Sequence, residues 1–262
     1  MTSAADRPPQ EVLEYATRLS DQLLSALDGE VCAIYLHGSA VLGGWRAGVS
    51  DVDVLAVVPH QLGPDAAGVF ASAALATASA CPGTGLEISA VTRAEAAAPR
   101  PPWRFVAHVA AAQHGEGRVV LGESHPGDPD LILHYAVCRA AGWPVIGPPA
   151  AGVIGPVPRP VVLEALGHEL AWGLEQAPAP YALLNACRAL LYLQDRRLVA
   201  KTTGGRWAVG HGIGPGPSIT HALAAQAGAE PAGTLTDADV EFVQQTASQL
   251  TTAAQSEQTT AE

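Results

Sequence analysis

The stretch from Pro144 to Pro160 constrains this chain more than any other. It carries six prolines and three glycines, so it cannot sustain a helix and offers few apolar side chains to a central strand. Before it, short apolar runs alternate with amphipathic stretches. After it, the periodicity is helical throughout. The simplest architecture is α+β: an N-terminal domain, residues 1–152, with a mixed sheet flanked by helices, then a C-terminal all-α helical bundle, residues 153–262, with a linker at about 144–160. At 262 residues the chain has length for two such domains.

In the N-terminal part, Val12, Ala16, Leu19, Leu23 and Leu27 fall on one stripe of a helix predicted over 10–28. Val31–Leu36 is a short run of strand formers ending at His37-Gly38-Ser39, and Val52–Val58 reads as a second strand. A helix is expected over Asp65–Ala80 and a third strand over Leu86–Val91. Trp103–Leu121 reads as a helix with a strand at Arg118–Leu121, and Asp128–Ala141 as a helix. Beyond the linker, helices are predicted from Pro160 to Gln176, Ala179 to Arg196, Ser218 to Ala227 and Thr236 to Leu250, with a frayed tail TTAAQSEQTTAE.

Composition narrows the function. Fourteen basic residues stand against 25 acidic ones, a net charge of −11. Nucleic acid is disfavoured as a partner because phosphate neutralisation needs clustered Lys and Arg. The acidity either attracts a cationic small molecule or serves solubility alone. Cys32, Cys81, Cys138 and Cys187 form no CxxC pair and read as buried free thiols. No segment has the length and apolarity of a membrane span, and MTSAADRPPQE lacks a signal-peptide core, so a cytoplasmic protein is expected.

The chemistry concentrates in three carboxylates. Residues two apart on a strand share a face, so Asp51 and Asp53 project together. Two adjacent carboxylates at the head of an apolar strand repel unless a cation joins them, and hard oxygen ligands suit magnesium. Glu87 is placed to complete the set from a neighbouring strand, where it alternates with Leu86 and Ile88. The Gly38-Ser39 pair lets the backbone approach a phosphate closely. Eleven residues lie between Ser39 and Asp51, enough for the chain to return into an adjacent strand. Singly, a Gly-Ser turn or an Asp-Val-Asp strand end is ordinary. Together they point to one site.

The string LHGSAVLGGWRAGVSDVDVLAVV, residues 36–58, resembles the signature of polymerase-β-type nucleotidyltransferases, in particular the streptomycin/spectinomycin aminoglycoside adenylyltransferases. Tyr181, Asn185, Arg188, Lys201 and Trp207 are similar to the pattern of that family's helical domain. The resemblance covers nearly the whole chain. It implies that Asp51, Asp53 and Glu87 bind magnesium, two ions in all, and that Glu87 is the catalytic base toward an acceptor hydroxyl. It implies further that Gly38, Ser39, Ser50, Arg188 and Lys201 hold ATP.

Two features depart from the streptomycin enzymes. Their Phe-Gly-Glu-Trp string corresponds to His114-Gly115-Glu116-Gly117, without the tryptophan. The acidic residues preceding their arginine helix correspond to Gln176–Pro180, with Glu175 either the nearest substrate-binding replacement or an ordinary solvated residue. Trp103, in a Trp-Arg pair that resembles one in the family, is assigned to core packing. The expected activity is magnesium-dependent transfer of AMP from ATP to a hydroxyl of an aminocyclitol or aminoglycoside, spectinomycin ahead of streptomycin, by a monomer. The rivals are a nucleotidyltransferase with another small-molecule or protein acceptor, and a non-catalytic ATP-binding relative.

Overall fold

The computed structural model describes residues 7–115 and 117–261. The first six residues, part of the segment searched for a signal peptide, and Glu116 of the His114–Gly117 stretch lie outside the described residues. The chain divides into two units, Met1–Val157 and Pro158–Glu262.

The first unit is built on one six-stranded sheet. Its strands are β1 (Ala33–Leu36), β2 (Val52–Val58), β3 (Gly85–Thr92), β4 (Ala107–Ala112), β5 (Gly117–Leu121) and β6 (Trp143–Ile146), in the order β5-β4-β3-β2-β1-β6. The β2–β3 pair is parallel and every other pair antiparallel, so the sheet is mixed. Helices α1 (Gln10–Ala26), α2 (Pro64–Leu75), α3 (Arg93–Ala97) and α4 (Leu131–Ala141) flank it. Val12, Tyr15, Ala16, Leu19 and Leu23 form the buried stripe of α1, as their spacing requires. A short 3-10 turn, Gly38–Ala40, follows β1 and packs against α4.

Two expectations are corrected in this unit. Trp103–Leu121 contains the β4–β5 hairpin and no helix. Ala107, Val109 and Ala111 are buried while His108 and Ala110 are half-exposed. That period of two is hard to see in a run of alanines, whose small side chains suit either element. The proline-rich stretch is also not all linker. Trp143–Ile146 pairs with β1 at the sheet edge, where Pro144 lacks only a bond that an edge strand can forgo. Beyond it Ile154 is buried, and the Arg139 guanidinium donates to the carbonyls of Ala151 and Ile154.

The second unit is all helix: α5 (Arg159–Gln176), α6 (Ala179–Asp195), α7 (Lys201–Gly210), α8 (Gly216–Gln226) and α9 (Asp237–Ala261). Helix α7 escapes sequence reading because Gly204-Gly205 argues against a helix. The glycines are there for close approach. A Cβ on Gly204 would lie 2.6 Å from the Arg188 Cα, and one on Gly205 would lie 2.6 Å from Leu184 Cδ2. The tail predicted to fray is the end of α9 instead. It packs along α5, where Glu257 pairs with Arg159 and Gln258 Nε2 donates to Glu164 at 2.7 Å. All four cysteines are free; three are buried, and the half-buried Cys32 accepts a bond from Arg93 at 3.0 Å. Trp103 is buried.

Candidate active site

The parallel register of β2 and β3 sets Asp53 directly beside Glu87. Asp51 stands two residues before Asp53, on the same side. One carboxylate oxygen from each of Asp51, Asp53 and Glu87 lies within 4.8 Å of the others. Three acids this close are poorly tolerated without a cation. Burial first, then the charge of Asp51, pushes the Glu87 carboxyl up to about 7, with Asp130 and Asp128 adding to the rise and His108 opposing it. Hard oxygen donors, crowding and unrelieved repulsion together fit a divalent cation such as magnesium.

The Gly38–Ala40 turn closes over this group. The His37 amide donates to the Asp53 carbonyl at 3.0 Å. Gly38 has φ +59°, and a Cβ there would fall 1.8 Å from Asp53 Oδ2. No residue but glycine leaves room for that carboxylate. The Ser39 Oγ is buried with no hydrogen-bond partner among the described residues. A buried hydroxyl without a partner is rare enough to call for an explanation. Ser50 is engaged differently: its Oγ accepts from the Arg46 amide at 3.1 Å, and its carbonyl accepts from the Thr84 amide at 2.9 Å. It ties the loop before β2 to the turn before β3.

His134 is a neighbour the sequence did not reveal. Its Nε2 lies 3.7 Å from Glu87 Oε1, and its ring stands 4.7 Å from that of the buried His37. Burial, then the adjacent His134, lowers the His37 pKa well below the usual value, so the inner ring is neutral. Only proximity in the fold selects His134, four residues after Asp130 on α4.

Arg188 and Lys201 belong to the second unit and meet there around Glu169. Arg188 Nη2 donates to both Glu169 oxygens, at 2.8 and 2.7 Å, and the Tyr181 hydroxyl donates to Oε1 at 2.9 Å. The Lys201 ammonium sits 4.2 Å from the centre of the Tyr181 ring. Burial alone would raise the Glu169 pKa; the charge and hydrogen bonds of Arg188, the Tyr181 hydroxyl and Lys201 outweigh it and hold the carboxyl below its usual value. Glu175 is exposed at the end of α5, so the acid of this group is Glu169. A signal for it existed. Glu169 falls within the buried stripe of α5, after Val162 and Leu166 and before Gly173, where an unpaired charge would be costly.

A mixed sheet with carboxylates at the head of adjacent strands, a glycine-serine turn closed over them and a helical unit following in the chain are what the resemblance to nucleotidyltransferases implies. Residues 152–252 match the family described as aminoglycoside adenylyltransferase, C-terminal domain. That match lies almost wholly within the second unit. No curated protein matches it in sequence. In fold it is similar to spectinomycin adenyltransferase AAD(9) from Enterococcus faecialis, solved with ATP and spectinomycin. The two share a TM-score of 0.62 and 15% identity over 92% of this chain and 98% of that one. Among the described residues no helix is long and apolar enough to cross a membrane.

Proposed function

We propose that this enzyme transfers AMP from magnesium-ATP to a hydroxyl of an aminocyclitol in the cytoplasm, with spectinomycin favoured over streptomycin. The observation that carries the proposal is the carboxylate group, Asp51, Asp53 and Glu87 within 4.8 Å of one another. The loss of the Phe-Gly-Glu-Trp tryptophan supports the choice of acceptor, as does the fold likeness to an enzyme solved with spectinomycin.

Asp51, Asp53 and Glu87 would hold magnesium, two ions by the family resemblance, which offsets the charge of the triphosphate. The residues of the chain supply the rest. Glu87 accepts the proton of the acceptor hydroxyl, a task for a carboxylate standing beside the phosphate-binding turn and the two aspartates. The freed oxygen bonds to the α-phosphorus, the bond from that phosphorus to the β-phosphate oxygen breaks, and pyrophosphate leaves. The backbone at Gly38 and the Ser39 hydroxyl bind phosphate oxygens; Ser50 assists by fixing the loop. Arg188 and Lys201 neutralise the departing pyrophosphate. Glu175, exposed, is left to an acceptor amine.

Pyrophosphate release from ATP and magnesium, measured against a panel of aminocyclitols, aminoglycosides and other hydroxylated compounds, tests the proposal. Release is expected with spectinomycin and not streptomycin, and is abolished by Asp53→Asn. Release with a different acceptor alone would overturn the substrate and keep the chemistry. Tight magnesium-ATP binding with no release for any acceptor would overturn the chemistry as well.

A further inference from the structure

The second unit concentrates positive charge where a helix tolerates it least. Lys201 is the only lysine in a chain whose other 13 basic residues are arginines. It is the first residue of α7, whose N-cap Ala200 makes no side-chain bond and whose first turn holds no acid. The partial positive charge of a helix N-terminus opposes a cation there. The glycine contact of α7 on α6 brings this terminus close to Arg188, a second cation, with Gly204 seated on the Arg188 backbone. One carboxylate, Glu169, is bonded into the group, and it is fixed by three short hydrogen bonds from two side chains. Its side chain is 16% exposed and that of Arg188 21%.

We infer that Glu169 is a positioning residue that holds Arg188 and, through Tyr181, Lys201 in the arrangement that receives the nucleotide's phosphates. The inference rests on the reading that these two cations bind ATP. Both Glu169 oxygens engage the one Nη2 atom, which fixes where that end of the guanidinium stands. The Tyr181 hydroxyl, bonded to the same carboxylate, fixes the ring over which the Lys201 ammonium lies. Glu169 therefore orients both cations and reduces their mutual repulsion, in a group that would attract a polyanion. Supporting partners of this kind decide whether binding groups stand at their working geometry before ligand arrives.

The test uses the full chain. Magnesium-ATP affinity by calorimetry, KM for ATP and for the acceptor, and Tm are measured for wild type, Glu169→Ala, Glu169→Gln, Arg188→Ala, Lys201→Ala and Glu169→Ala/Arg188→Ala. Glu169→Ala is expected to weaken ATP roughly tenfold, as removal of a supporting partner typically does, with KM for the acceptor unchanged. Glu169→Gln, which keeps an acceptor oxygen, recovers part of the loss. The double variant loses less than the sum of the two single losses, because Glu169 acts in part through Arg188 and in part through Lys201. ATP binding by Glu169→Ala or Glu169→Gln at or above the wild-type affinity, with Arg188→Ala impaired, overturns the positioning role alone. A Glu169→Ala loss that follows Tm and raises both KM values equally also overturns it, marking the ion pair as structural. Wild-type affinity in both Arg188→Ala and Lys201→Ala removes the nucleotide-binding reading itself, and the inference falls with it.

Discussion

Glu87 in the first unit and Glu169 in the second are the same side chain under opposite electrostatics. Both are partly buried, with 32% and 16% of the side chain exposed, and burial pushes both upward. Glu87 rises to about 7 because its nearest charges are acids, whereas Glu169 falls because its neighbours are Arg188, Tyr181 and Lys201. Burial does not decide the sign of the shift; the company does. Around Glu87 the crowded charges are negative and a cation would relieve them; around Glu169 the acid is already met by cations.

The comparison breaks most severely at Gly38. In Gly38→Ala the new Cβ would fall 1.8 Å from Asp53 Oδ2 at a φ of +59°. Asp53 must turn away, and turnover should drop by on the order of 10³-fold, the rate equivalent of several kcal/mol of lost charge stabilisation. Overpacking and backbone strain should also remove about 1–3 kcal/mol of stability. Steady-state pyrophosphate release and thermal melts measure the two. Near-wild-type turnover would show that the close approach of turn and carboxylate is dispensable. Glu87→Gln comes next. It keeps the shape and removes the base, so kcat should fall roughly 10²–10⁴-fold with the Tm unchanged or raised, since one of three crowded charges is gone. A lowered Tm would mean that the acids are not in conflict.

How much of this was legible beforehand follows the range of each interaction. The strand bearing Asp51 and Asp53, the strand bearing Glu87, and the Gly-Ser turn all show in local pattern. The structure brings them together because β2 and β3 pair in register. His134 and Glu169 did not show, since their partners lie far off in sequence: Glu87 for one, Arg188 for the other. The pairing itself leaves no periodic trace; the one hint was a glutamate falling within the buried stripe of α5. Helix α7 and the β4–β5 hairpin were missed for a related reason. Glycine and alanine carry weak local preferences, so the surfaces they pack against decided the element.

The other half of the comparison can be sharpened by acid titration of stability. The folded-state pKa of Glu169 is depressed below its unfolded value. The stabilisation it brings is therefore fully present above the ordinary carboxylate pKa and is lost as pH falls through the lowered folded value. Glu169→Gln should be less stable than wild type at neutral pH by about 1–3 kcal/mol, the worth of hydrogen bonds to a charged group. The gap should close in the acid range just below the usual carboxylate pKa. Denaturant melts of both proteins across that range measure it. A gap independent of pH would show that the carboxylate's charge contributes nothing.

The smallest effect belongs to the other glutamate–arginine pair of the second unit, Glu257 with Arg159 near the end of α9. The chemistry is that of Glu169 with Arg188, yet the Glu257 side chain is 34% exposed against 16% for Glu169. Glu169 also has a phenol and a second cation beside its arginine. Water and salt screen an exposed pair. Glu257→Gln should therefore lower stability by only about 0–1 kcal/mol, less still at high salt. Arg159 keeps its bond to the Leu193 carbonyl at 2.8 Å and is not stranded by the change. Melts of Glu257→Gln and Glu169→Gln in low and high salt set the two side by side. Equal losses in the two variants would show that exposure and partner number do not govern ion pairs in this protein.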